Sequence, residues 1–134
     1  MKKNIYLTRI EEFSASHCLN VKTYSNEKNL EKFGKCTRVH GHNFEVEVTL
    51  SGPFDEETGM LINLHILKKI MKDKIVEKFD HFHLNDLEPF QKTPPTIENI
   101  AIVCWNILEK TEIGDYLYKI KVHENPRNIA VYKG

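Results

Sequence analysis

Residues 40–51 alternate without a break. His40, His42, Phe44, Val46, Val48 and Leu50 fall on one parity, and Asn43, Glu45, Glu47 and Thr49 on the other. Period two is the repeat of an extended chain, whose successive side chains point to opposite faces. The segment therefore predicts a strand with one face in a core, and it puts two imidazoles on that apolar face. Residues 5–17 alternate too: Ile5, Leu7, Phe13 and Ala15 share a parity, and His17 falls on it.

Around these strands the pattern changes period. Residues 64–79 carry apolar side chains at 64, 67, 70, 71, 75 and 79, a helical stripe, with Asn63 placed as its N-cap. Thr96 is placed to cap a second helix over 97–110, burying Ile100, Val103, Cys104, Ile107 and Leu108. Residues 116–124 alternate again, and Asn125-Pro126-Arg127-Asn128 turns the chain into a last strand over 129–133. Residues 60–63 read as one more short strand, residues 20–35 as a long polar loop with room for one helical turn, and residues 80–95 as irregular. Strands at both ends with helices grouped between them predict an α+β fold with an antiparallel sheet.

A chain of 134 residues predicts one domain spanning 1–134. Nineteen basic and nineteen acidic residues give zero net charge, which argues against a nucleic-acid or anionic-membrane binder, since both need a basic footprint. No apolar run approaches the roughly 20 residues of a membrane span, and Met1-Lys2-Lys3-Asn4 opens no apolar leader. The three cysteines are an odd number, so the expectation is a cytoplasmic protein with reduced thiols.

His40-Gly41-His42 carries the strongest chemistry. Side chains at i and i+2 of a strand project from the same face, so two imidazoles can converge on one metal, and His17 adds a third. Three neutral nitrogen donors with an open fourth position suit a catalytic zinc. The alternative is three histidines hydrogen-bonded in the interior or exposed at a sheet edge. Cys36, four residues before His40 and beside Lys35, is open to three roles: fourth ligand, base or nucleophile, or inert thiol. Asp80-His81 offers a carboxylate that can fix an imidazole tautomer, but adjacent residues in an extended chain point apart, so the pair needs a turn. Glu124 continues the apolar parity of Tyr118, Ile120 and Val122; it either turns inward towards a partner or twists out into water. Glu98 complements a helix dipole.

These pieces, in order, resemble the 6-pyruvoyltetrahydropterin synthase family, which includes the 6-carboxytetrahydropterin synthases. The matching segments are Phe13-Ser14-Ala15-Ser16-His17, Phe33-Gly34-Lys35-Cys36, His40-Gly41-His42-Asn43, Asp80-His81, Thr96 with Glu98-Asn99, and the ends Glu124–Ile129 and Tyr132–Gly134. The resemblance implies a T-fold: a four-stranded antiparallel sheet with two helices on one face, assembling through its sheet into a barrel and a homo-hexamer built as a dimer of trimers. It implies Zn2+ on His17, His40 and His42, with Cys36, Asp80 and His81 catalytic and the last two supplied across a subunit interface. Glu124, assisted by Thr96 and Glu98, would hold the pterin of 7,8-dihydroneopterin triphosphate, and Lys35 and Arg38 are candidates for its phosphates. Two departures stand out. Three residues separate Cys36 from His40, the spacing of the carboxy-forming branch, whereas the body of the chain resembles the pyruvoyl-forming one. Phe82-His83 stands where the family more often has Lys-Asn, and Ile97 replaces a small hydroxyl residue.

Overall fold

A computed structural model describes residues 3–134; Met1 and Lys2, on which the reading of the N-terminus partly rests, lie outside the described residues. Four antiparallel strands form one sheet in the order β1-β2-β3-β4: β1 (Asn4–His17), β2 (His40–Pro53), β3 (Leu117–Asn125) and β4 (Asn128–Tyr132). Phe13 pairs with Phe44, Ala15 with His42, Ser16 with Gly41 and His17 with His40. The register therefore brings three histidines together at one end of the β1–β2 ladder. Gly41 gives the strands room there: a Cβ at this position would lie 3.1 Å from the Ala15 carbonyl oxygen, a tight contact.

One face of the sheet is buried under helices, as the alternation demands. α2 (Leu64–Met71) starts at Asn63, whose side chain accepts from the His65 amide, and runs through a wide π-helical stretch (Lys72–Val76) into α3 (Glu77–Phe79). α4 (Ile97–Leu108) starts at Thr96, whose hydroxyl accepts from the Asn99 amide. Their apolar stripes close the core on Val46, Val48, Ile120 and Val122. Phe13 stacks on Phe44 at 5.3 Å and meets Phe79 at 5.5 Å, which ties the end of α3 to the β1–β2 ladder. Among the described residues no helix is long and apolar enough to cross a membrane.

Two expectations are corrected. The polar loop over 20–35 holds a full helix, α1 (Asn26–Phe33), capped by the Ser25 side chain, which accepts from Lys28. Its sequence shows little apolar stripe because it lies on the surface and buries only Asn29. Residues 60–63 form no strand. Gly59, at φ +72°, closes a turn over Asp55, and Asn63 is committed to capping α2. Too few residues remain between them to pair.

Candidate metal centre

His17 sits at the end of β1 with no exposed surface. Its Nδ1 lies 2.8 Å from the Pro95 carbonyl oxygen, and the His40 Nδ1 lies 2.7 Å from the Arg38 carbonyl oxygen. A carbonyl only accepts, so each Nδ1 must carry the proton and each Nε2 presents its lone pair. The Nε2 atoms of His17 and His42 are buried and have no hydrogen-bond partner among the described residues. An unsatisfied buried polar atom costs about 1–3 kcal/mol, so two at one spot call for a common partner. One nitrogen from each of His17, His40 and His42 lies within 4.8 Å of the others. A cation accepted by all three relieves both orphans, and the donor set fits it.

The protonation states agree. Burial lowers the pKa of His17, and neighbouring His40 and His42 add to this against the opposing Pro95 bond and Glu124. Burial also lowers that of His42 against the opposing pull of Glu124. Both imidazoles are neutral at pH 7, as metal ligands must be. Packing fixes their rings: His17 and His42 each meet Phe44 edge-on at 5.4 Å.

Glu124 turns inward. Its carboxylate oxygens lie 4.0 Å from the His17 Nε2 and 3.8 Å from the His42 Nε2, and the side chain is 21% exposed. These distances exceed hydrogen-bond reach and the imidazoles are neutral, so the carboxylate rims the nitrogen cluster without pairing to it. It is free to accept from a bound molecule. Thr96 lies next to Pro95, whose carbonyl holds His17, while Glu98 is exposed in the first turn of α4.

Cys36 lies in a 3-10 turn (Gly34–Thr37) docked beside His17, since its carbonyl accepts from the Leu19 amide at 2.7 Å. It is half-buried, and its sulphur is not among the clustered ligand atoms. The two other cysteines have raised pKa values. Burial pushes the Cys18 thiol up, and the fully buried Cys104 thiol up to about 12.

Asp80 and His81 form a pair because the chain turns between them. His81 has φ +64°, the left-handed region uncommon for a residue with a Cβ. Asp80 accepts from the Ser14 amide at 2.8 Å through one oxygen and from His81 Nδ1 at 2.7 Å through the other. The Ser14 amide first, then His81, holds the Asp80 carboxyl below its usual range. His81 is 82% exposed and is not among the clustered nitrogens. It shares a cleft of about 680 Å³ with Gly41, His42 and His83.

Sequence reasoning missed the two carbonyls that set the imidazole tautomers, because a backbone oxygen leaves no mark in composition. The Pro94-Pro95 dipeptide, a rigid turn before the Thr96 cap, is the one signal that pointed to the first of them. The remaining histidines have ordinary partners or none: His83 Nδ1 lies 2.9 Å from the Ser16 hydroxyl, His123 bonds Glu47 on the open face, and His65 is exposed.

A family profile described as "6-pyruvoyl tetrahydropterin synthase" matches residues 6–134. The chain belongs to this family. It is 45% identical over 131 residues to "6-pyruvoyl tetrahydrobiopterin synthase" of Homo sapiens, covering 96% of this chain and 90% of that protein. It is 44% identical over 133 residues to the protein of the same name from Drosophila melanogaster, covering 96% of this chain and 79% of that protein. The solved structure of Caenorhabditis elegans 6-pyruvoyl tetrahydropterin synthase superposes with a TM-score of 0.95 at 37% identity, over 99% of this chain and 97% of that one. The four-stranded sheet with its helices is thus the T-fold of this family.

Proposed function

We propose that the chain is a single-domain, zinc-dependent carbon–oxygen lyase that converts 7,8-dihydroneopterin triphosphate to 6-pyruvoyltetrahydropterin with release of triphosphate. The observation that carries this reading is the pair of buried, partnerless Nε2 atoms of His17 and His42 beside His40, in a chain of this family. Zinc on these nitrogens would supply Lewis-acid chemistry to the hydroxyl oxygens of the substrate side chain. The Glu124 carboxylate accepts from the amino-pyrimidine edge of the pterin, assisted by Thr96 and Glu98, and so sets which substrate carbon faces the thiol. Cys36 takes a proton from a side-chain carbon and returns it to the pterin ring, so the ring is reduced as the side chain is oxidised and no external oxidant is needed. His81, held in one tautomer by Asp80, moves a second proton as triphosphate leaves. The working form is a cytoplasmic homo-hexamer, a dimer of trimers, in which His81 of one subunit serves the metal of another. The 82% exposure of its side chain supports that arrangement.

A second reading keeps the substrate and changes the product to 6-carboxytetrahydropterin. The three-residue spacing from Cys36 to His40, which sets where the thiol stands relative to the metal, favours it. Incubating the zinc-loaded protein with dihydroneopterin triphosphate and weighing the products separates the two. Cys36→Ala should retain zinc and lose triphosphate release. Loss of zinc in that variant would instead support a closed, non-catalytic zinc module, and unchanged turnover would remove Cys36 from the reaction.

A further inference from the structure

Away from the metal centre, the helical layer holds a slot of about 690 Å³ between α3, the turn at residues 87–89 and the second half of α4. Its floor is apolar: Phe79 from α3, with Val103 and Ile107 from α4. Lys74, Lys78 and Lys110 stand around it against one carboxylate, Glu88. All three lysines are exposed and, among the described residues, none forms an ion pair or a side-chain hydrogen bond. In a chain of zero net charge, three unpaired cations around one apolar slot are a local excess of charge over a surface that water solvates poorly. Lys74, on the slot's wall, comes from the π-helical stretch Lys72–Val76, which runs directly into the α3 turn that carries Lys78 and Phe79. Such wide turns recur at binding sites because they cost regular hydrogen bonding.

An apolar body would cover the floor, and a carboxylate or sulfonate would meet the ammonium groups. The volume lies within the range of small-molecule pockets, roughly 300–1,000 Å³. We propose that this slot is a second binding site, distinct from the metal centre, for a small amphiphilic organic anion with an aromatic or short aliphatic body. An uncharged body lacks the attraction of the lysines, and a compact inorganic anion leaves the floor in water.

8-Anilinonaphthalene-1-sulfonate is the probe, titrated by its fluorescence into the zinc-loaded protein, with the uncharged N-phenyl-1-naphthylamine as its comparison. The expected result is saturable binding of one anionic probe per chain, weakened about tenfold or more in the double variant Lys78→Glu/Lys110→Glu and by raising the salt. Both lysines are exposed and lie outside the proposed catalytic and substrate-binding residues, so zinc content and turnover should stay at wild-type values and report that the variant is folded. Equal affinity of the double variant and the wild type, equal affinity for the uncharged probe, or no saturable binding at one per chain would each overturn the site. None of these outcomes bears on the lyase reading, which is tested by turnover.

Discussion

His17 and His40 donate hydrogen bonds from Nδ1 to main-chain carbonyls at 2.8 and 2.7 Å, so the side of each ring that a metal would meet is already set. Outer partners of this kind fix tautomer and orientation, and losing one commonly costs about 10–100-fold in metal affinity. The same burial has a consequence for pH. In the metal-free protein the His17 and His42 pKa values lie below the usual 6.5, so the folded state holds these rings neutral while the unfolded chain protonates them near 6.5. The unfolded state then binds more protons, and stability falls as pH drops from about 6.5 towards the lowered folded pKa; above 6.5 the contribution is complete. His42→Gln removes one of these groups and should flatten that acid limb. Urea midpoints of chelator-treated wild type and variant between about pH 7.5 and 5.5 measure it. A variant that keeps the wild-type slope would show that His42 is not held neutral by the fold.

At the level of elements, the metal centre is a property of the β1–β2 ladder. Its histidines meet because His17 pairs with His40 while Ser16 pairs with Gly41, whose missing side chain lets the strands approach without a tight contact. Gly41→Ala puts a methyl group 3.1 Å from the Ala15 carbonyl oxygen, a backbone atom of the paired strand and not the end of a flexible side chain. The strands must part by a few tenths of an ångström one residue from the paired imidazoles. The expected cost is about 1–3 kcal/mol of stability, with a loss of zinc affinity that a thermal shift alone would not reveal. Thermal unfolding with zinc titration checks both, and a destabilised variant of unchanged zinc affinity would uncouple ladder from site. This level is also where the sequence was most readable. Period-two alternation placed His17, His40 and His42 on one face, and Asn63 and Thr96 announced their helices. What escaped was α1, whose polar surface carries little stripe, and the π-helical stretch, which depends on how α2 docks on the sheet. There Lys72 reaches the buried Glu11 of β1 at 3.0 Å, a contact between residues distant in sequence. The sign of φ at His81, which decides that Asp80 and His81 meet, is likewise set by the Ser14 backbone and not by the dipeptide.

For the whole molecule, the sheet leaves two edges. Among the described residues, the outer edge of β1 is covered only where residues 81–83 run beside Ser14 and Ser16, and β4 has no neighbour on its far side. Tyr6 and Ile10 on β1, and Ile129 and Val131 on β4, expose 63%, 50%, 42% and 51% of their surface. Open strand edges bearing apolar side chains pair with other chains unless they are blocked, and zero net charge offers little repulsion against it. An assembly joined through these edges would put the short segment that carries Asp80 and His81 close to a neighbouring subunit, as the proposed role of His81 requires. The arrangement can be tested without a structure of the assembly. Cys36→Ala and His81→Ala should each be inactive as homo-oligomers. If one site takes Cys36 from one chain and His81 from its neighbour, dissociating and reassembling an equal mixture restores intact sites wherever a His81→Ala chain contributes its thiol opposite a Cys36→Ala chain. Random mixing makes about a quarter of the sites whole, so about a quarter of wild-type turnover should return. If both residues serve the metal of their own chain, every site in the mixture lacks one of them and no activity returns.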